Sequence, residues 1–308
     1  MASNYSDSVV HHTRQELTMA EVTLAMELTS DDKKYAAVHL NETDETRKNA
    51  IAEIKRWIEE CDDLRVRIGK NDRDDFFILR FLRVCKFNLE KTKIRMRNYY
   101  KQRFRLPEWF MNKDPFRPEL QELLDLGIFL PLRKPDNHGR LVIIVYGTRH
   151  DPKKHELSDI AKIGVMATEV ATKNYTTASV YGCSVFIDVA NPTMRHALQM
   201  RPQIVINLVH MWQSSYPIRM QSINIINAAE YVDIVLRIFK SFMIEKMKNR
   251  LHVYSQKATQ NSFKDIPVNT LPVEYGGTGG TLQELAEYWK KLLEENRDWL
   301  MDDEKDCY

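Results

Sequence analysis

What this chain lacks narrows its possible functions before any motif is read. It has no charge excess: 45 lysines and arginines face 43 aspartates and glutamates across 308 residues, a net +2. Nothing global therefore argues for nucleic acid, and a charged partner must be met by a local patch. It has little cysteine, and Cys61, Cys85, Cys183 and Cys307 are far apart with no CxxC or Cys/His cluster. That pattern speaks against a structural zinc and fits a reducing compartment. No apolar run reaches the roughly 18 residues of a membrane-spanning helix, and the first thirty residues hold no apolar stretch of signal-peptide length. Also missing are the P-loop lysine, GxGxxG, the GxSxG elbow and HExxH. The common nucleotide, serine-hydrolase and zinc-protease signatures are thereby excluded.

What is present is a change of periodicity along the chain. Residues 1–43 read as a mobile tail, with a short helix near TMAEVTLAMEL and an adjacent pair, His11 and His12, in poor geometry for a shared helical metal site. From residue 44 to about 105 the pattern is helical: Ile51, Ile54 and Ile58 share a face, Asn71 is placed to cap a second helix, and a third starts near Asn88. After PEWFMNKDPFRP the pattern changes. Gly127–Leu132, LVIIVYG (141–147), GCSVFIDVA (182–190) and SINIINA (222–228) are short apolar runs, the last three rich in β-branched residues. Such runs suit strands buried on both faces of a largely parallel sheet. Helical stretches at 158–174, 201–213 and 231–249 lie between or after them, so the fold class is α/β: a mostly parallel sheet behind a small all-helical module. The expected divisions are 1–43, a helical module at 44–115, a main domain at 116–281, and a last helix with acidic tail at 282–308.

Four glycines within 276–280 invite comparison with a phosphate-cradling loop. The context is wrong for one. Leu271-Pro272 precedes the glycines instead of a clear strand, and Thr281 and Glu284 form a T-x-x-E capping box that takes up the free helix donors. The glycines read as a turn into a final helix. Asp188, at the end of a strand, is placed where α/β folds host ligands, but no partner for catalysis stands near it in sequence, and DVANPT suggests a turn cap. His210 and His252 are isolated and read as structural.

The most unusual segment is YVDIVLRIFKSFMIEKMKNR (231–250). Val235, Phe239, Phe242 and Met243 recur at helical spacing, while Arg237, Lys240, Lys246, Lys248 and Arg250 outnumber Asp233 and Glu245. A basic amphipathic helix reads as membrane-surface or partner-binding; a core-packed helix with a solvated cationic face is the alternative.

Five stretches in order resemble the CRAL-TRIO lipid-transfer family, within it the alpha-tocopherol transfer and cellular retinaldehyde-binding branch: FILRFLRVCKFNLEKTK, SVFIDVA, SSYPIRMQSINIINA, IFKSFMIEKMKNRLHVYS and LPVEYGG. The resemblance covers about residues 45–290. It implies a bowl with a sheet as floor, helices as wall, and a helical gate at about Val232–Phe239 over one hydrophobic ligand. By motif match the pocket would take Phe186 on the floor, Leu208, Met211, Trp212 and Tyr216 on the wall, and Val235 and Phe239 on the gate. A phosphoinositide head group would meet Arg219, Lys246, Lys248 and Arg250. Two positions depart from the pattern: Ile94, between Lys93 and Arg95, replaces a basic residue, and Ser241 replaces a proline after the gate lysine.

The function that the resemblance implies is a soluble carrier of a tocopherol- or retinoid-like ligand. It would be cytoplasmic and monomeric, and would visit phosphoinositide-containing membranes during transfer. No enzymatic activity, cofactor, metal or nucleic acid is expected. The alternatives are a membrane-recruited adaptor with a vestigial pocket and an isoprenoid-modifying enzyme.

Overall fold

Leu141–Tyr146 (β2) is buried at five of its six positions and Cys183–Asp188 (β3) likewise, as a strand covered on both faces requires. The computed structural model describes residues 28–61, 72–229 and 232–305. Its sheet has five strands in sequence order: Phe129–Pro131 (β1), β2, β3, Met220–Ala228 (β4) and Leu251–Ser255 (β5). β1 runs antiparallel to β2, and the other neighbours are parallel. The sheet is thus largely parallel, as the apolar runs predict.

Register aligns the floor of the bowl. Ile143, Val185, Ile223 and Leu251 stand side by side across four strands, and Val145, Ile187 and Ile225 form the next row on the same face. Residues between them point the other way. There Phe186 stacks on Phe263 at 5.2 Å, and Phe263 meets Tyr275 at 5.0 Å. One face is closed by the chain's own aromatic side chains; the other faces the helices.

Those helices are Ser30–Leu40 (α1), Asp44–Glu59 (α2), Asp72–Val84 (α3), Leu89–Arg105 (α4), Pro107–Phe110 (α5), Pro118–Asp125 (α6), Leu157–Asn174 (α7), Thr177–Tyr181 (α8), Met194–Gln199 (α9), Pro202–His210 (α10), Val232–Phe242 (α11), Glu245–Lys248 (α12), Leu282–Glu295 (α13) and Arg297–Lys305 (α14). Asn88 caps α4 as its sequence position suggests. Three differences from the sequence reading have physical causes. The supposed tail is helical over α1, where Thr29 and Asp32 form a capping box and Ala36 and Leu40 bury against Val180. The Pro-containing break holds two short helices, each opening on a proline at its first turn, where a missing N–H costs nothing. The basic stretch breaks at Met243-Ile244 because Gln213 captures the backbone there, donating to Phe242 O at 3.3 Å and accepting from Ile244 N at 3.2 Å. His11, His12, Asn71 and Cys307 lie outside the described residues.

The glycine turn closes against backbone. A Cβ on Gly277 would stand 1.9 Å from Leu271 O and one on Gly279 2.6 Å from Thr270 O, so no side chain fits. Thr281 and Glu284 form the capping box, and Glu274 also accepts from Leu282 N. Two carboxylates therefore occupy the helix end that a phosphate would need.

The helical module is joined to the sheet by buried charge. Glu169 on α7 accepts from Arg103 at 2.9 Å and from Lys113 at 3.1 Å, and Tyr216 hydroxyl lies 3.4 Å from the same carboxylate. Arg83 on α3 pairs with Glu42 at 2.8 Å and donates to Ser179. Removing one partner of a buried ion pair strands the others in low dielectric. Glu169→Ala is expected to lower unfolding free energy by about 3–5 kcal/mol, read from urea denaturation; a loss no larger than that of an exposed pair such as Lys34–Asp31 would refute the structural role.

Candidate functional site

An apolar cavity of about 240 Å³ opens between the sheet and the helices, and a further compartment of about 110 Å³ adjoins it. The two share Phe129, Val145, Ala161, Ile187, Leu208, Trp212 and Ile223 in their linings, so they lie side by side. Ile143, Val185 and Cys183 floor the inner compartment, and Ile187 and Val189 continue the same face of β3 into the outer one. Together the two compartments lie along Cys183–Val189, about 20 Å of chain at roughly 3.3 Å per residue.

The wall is shaped by an unusual turn. After α10 the chain widens into a π-helical turn, Met211–Ser215. Its carbonyls are captured from α4: Arg95 donates to Gln213 O at 2.7 Å and to Tyr216 O at 2.8 Å, and Asn98 to Ser214 O at 3.3 Å. Met211, Trp212 and Tyr216 are thereby turned toward the sheet. Helix α11 covers the outer compartment with Val235, Leu236 and Phe239, and Phe239 stacks on Trp212 at 6.1 Å, nearly parallel.

Six of the seven pocket residues read from the sequence line this space. Leu208 and Trp212 line both compartments, Met211 and Tyr216 the inner one, Val235 and Phe239 the outer one. Phe186 does not: the alternation of β3 puts Val185 and Ile187 on the cavity face and Phe186 on the other, against Phe263. Among residues the sequence did not point to, Phe129 stands at the junction and packs on Gly164, where a Cβ would come within 2.6 Å of the ring. His150 and His196 also line the outer compartment. Their only sequence signal is a run of isolated histidines after β2 and near the start of α9.

These histidines are held in defined tautomers. Gln199 Nε2 donates to His155 O at 3.0 Å and Pro152 O at 3.3 Å, so its Oε1 faces His150 Nε2 at 2.8 Å as an acceptor. His196 Nδ1 accepts from Thr193 N at 3.1 Å, and its Nε2 donates to His150 O. His150 and His196 rings meet edge to face at 4.8 Å. Burial first, then the neighbouring His196 and His155, hold the His150 pKa below its ordinary 6.5.

The cations named in the sequence divide differently. Burial lowers the Lys246 pKa, and the positive charges of Arg250, Lys86, Arg219 and Lys91 lower it further. These side chains therefore share one electropositive region. Arg219 and Arg250 each also donate to a backbone carbonyl, of Val180 and Met220. Lys248 is turned into a pair with Glu245 at 2.6 Å. Ile94 is 58% exposed, while its neighbours are engaged elsewhere: Lys93 with Glu90 and Glu53, Arg95 with the π turn. Lys86 and Lys91, from the helical module, stand close enough to Lys246 to lower its pKa.

Asp188 lies behind the sheet and is fully engaged, accepting from Ala190 N, Asn227 Nδ2 and Tyr275 hydroxyl. It is the turn cap that DVANPT suggested. Among the described residues no group of three or more His, Cys, Asp or Glu side chains is arranged to hold a metal, and no helix is long and apolar enough to cross a membrane.

Comparison with known proteins bears on this architecture. Residues 127–277 match the CRAL/TRIO domain, and residues 43–120 match the Pinta-like UBA domain. Alpha-tocopherol transfer protein-like of Mus musculus is 28% identical over 220 residues, covering 71% of this chain and 62% of its own length. Clavesin-1 of Xenopus laevis is 26% identical over 242 residues, 78% of this chain and 71% of its own. Clavesin-2 of Homo sapiens is 26% identical over 251 residues, 81% of this chain and 75% of its own. Among solved structures, the crystal structure of Sfh5 superposes with a TM-score of 0.49 at 15% identity, covering 84% of this chain and 92% of that one.

Because the folded state binds the His150 proton less readily than the unfolded chain, stability is unaffected above about pH 6.5 and falls as pH drops toward the depressed folded value. The melting temperature is expected to decline as pH falls below about 6.5, and less steeply for His150→Phe. His210, also depressed by burial, acts with the same sign in both proteins. Parallel pH profiles would show that His150 does not carry the effect.

Proposed function

We infer that the chain belongs to the CRAL-TRIO lipid-binding and transfer family, whose domain its residues 127–277 match, and propose from that premise that it is a carrier that encloses one hydrophobic molecule and exchanges it at membranes. The observation that carries this reading is the gate: α11 covers an apolar space with Phe239 stacked on Trp212, and its outer side mixes exposed Ile234, Ile238 and Phe242 with exposed Asp233, Arg237, Lys240 and Ser241. Ile234 is 61% exposed and Ile244, just beyond, 53%. Such a mixed outer surface suits the interface of a bilayer, where apolar side chains meet hydrocarbon and cations meet head groups.

Cargo arriving from a bilayer gains little hydrophobic free energy, since its source is as apolar as its destination. Transfer then depends on what opens the gate. Lys246, with Arg250, Arg219, Lys86 and Lys91 acting on it, follows the gate hinge; burial first and then their mutual repulsion depress the Lys246 pKa, and an anionic head group there would relieve the repulsion. Phosphoinositide binding at this region would thus favour the membrane-docked, open state. Lys248, beside them, is paired with Glu245 at the surface, a pair that an anionic head group could replace at little cost. A tocopherol- or retinoid-like molecule suits the narrow apolar space, and the relatives include one named for alpha-tocopherol transfer.

Two experiments test this. Native mass spectrometry after incubation with mixed lipid vesicles should find one bound hydrophobic molecule, and Met211→Trp, which overfills the inner compartment, should cut occupancy severely at an unchanged melting temperature. A wild-type protein that stays empty would favour a membrane-recruited adaptor instead; full occupancy of the variant would remove Met211 from the pocket. For the cations, Lys86→Gln combined with Lys246→Gln should slow transfer to phosphatidylinositol bisphosphate vesicles about tenfold, at about 1 kcal/mol per basic residue near an anionic surface, with ligand affinity preserved. Equal rates on neutral and phosphoinositide vesicles, in variant and parent alike, would sink the electrostatic coupling.

A further inference from the structure

Helix α9 is held to the molecule by one buried side chain. Of its six residues only His196 is buried, while Met194 and Leu198 stand largely in water. Yet this segment is part of the cavity wall: Thr193, His196, Ala197 and Met200 line the outer compartment, together with Thr148, His150 and Leu157 from the chain after β2. Three side chains join the two pieces. His196 Nε2 donates to His150 O at 3.1 Å, Gln199 Nε2 donates to Pro152 O and His155 O, and Gln199 Oε1 receives the His150 Nε2 proton at 2.8 Å.

The joint is built for uncharged imidazole. His196 Nδ1 accepts the Thr193 backbone N–H at 3.1 Å, the role that a glutamate or glutamine takes in a capping box. A proton on Nδ1 removes that acceptor. The Thr193 hydroxyl, at 2.7 Å, can turn to receive the new N–H, but the backbone N–H then faces a donor. His155 repeats the arrangement, its Nδ1 accepting from Asp151 N at 3.0 Å. There Glu122 of α6, which also holds Lys154, stands 3.4 Å from Nε2, so a charge on His155 is partly met. His196 has no ion pair among the described residues. The titratable ring against it is His150, at 4.8 Å, with Asp151 and His155 beyond, and Arg195 on α9 itself is exposed.

We propose that α9 is a pH-controlled door, distinct from the α11 gate: neutral His196 holds it against the loop after β2, and protonation releases it, so that an enclosed molecule exchanges faster in acid. This rests on the carrier reading and adds a means of regulation to it. Opening α9 exposes His196 to water, where an imidazole titrates near its ordinary value of about 6.5. One proton taken up only by the open form raises the open population about tenfold between pH 7.5 and 5.5, and changes it little at higher pH.

The test loads the protein from vesicles carrying retinol, α-tocopherol and geranylgeraniol, then adds excess phosphatidylcholine vesicles, whose head group does not titrate in this range. Native mass spectrometry counts the lipid still bound over time. Wild-type release is expected to be about tenfold faster at pH 5.5 than at pH 7.5. His196→Gln keeps an oxygen for Thr193 N–H and an amide N–H for His150 O but does not titrate, and its ratio of the two rates is expected to fall below about threefold, the remainder coming from His150. His252→Gln, on an exposed histidine of β5, should keep the wild-type ratio. A wild-type rate that ignores pH, or a His196→Gln ratio equal to that of the wild type, overturns the door and leaves the carrier reading standing. A protein that takes up none of the three lipids overturns both. Should the variant not fold, proton NMR of the wild type decides: by reciprocity, loading is expected to lower the titration midpoint of His196. The same midpoint in loaded and empty protein would overturn the assignment.

Discussion

A parallel sheet has two apolar faces to cover, and this molecule covers only one of them completely. Behind the sheet, Phe186, Phe263 and Tyr275 pack together around the engaged Asp188. In front, the rows through Val185 and Ile187 face a space that no side chain fills. A hydrophobic molecule bound there would pack against this lining as part of the core. This also separates two energies that are easily confused. Leaving a bilayer cancels the cargo's own hydrophobic gain, while filling the void restores contacts to the protein's own lining.

The wall and the gate are held very differently. The π turn that presents Met211, Trp212 and Tyr216 is tied down by Arg95 and Asn98, and Tyr216 reaches the buried Glu169. The gate's hinge is held by the two hydrogen bonds of Gln213 to the backbone at Phe242 and Ile244. Each is worth about 1 kcal/mol net, within reach of what a membrane surface can supply. One side of the cavity is thus tied by many contacts and the other by few, the partition that the proposed carrier would need if it is to open without losing its shape.

Much of this was legible in the sequence, and the exceptions share a cause. Continuous apolar runs located the strands because a strand buried on both faces has no polar position to interrupt it. The same property hid which residues face the cavity: in SVFIDVA every candidate is apolar, and only the register distinguishes Val185 and Ile187 from Phe186. The basic stretch was legible as unusual, but not that Lys248 folds back on Glu245 while Lys86 and Lys91 join Lys246 from a helical module some 150 residues earlier. The helix at Ser30–Leu40 was missed because its stabilising contacts, Leu40 on Val180 and Tyr181 hydroxyl on Asp32, are tertiary. Capping signals were the most dependable: Asn88, Thr281 with Glu284, and the Asp188 turn all act as their local sequence implies, since a cap needs only its own few neighbours.

Selectivity must arise where the cavity departs from uniform apolarity. Shape alone discriminates weakly among long flexible lipids, since one methylene more or less in an apolar pocket changes affinity by only about 1–3 kcal/mol. A polar site that requires a donor rejects an analogue lacking one far more strongly, because rejection leaves a buried group unmet. His150 and His196 are among the polar side chains of this lining. Gln199 binds two carbonyls of the loop after β2 and faces His150, and His196 meets the His150 ring edge to face. The chain therefore separates the apolar floor on the strands from a small polar cluster held by α9, so that either can change without rebuilding the other.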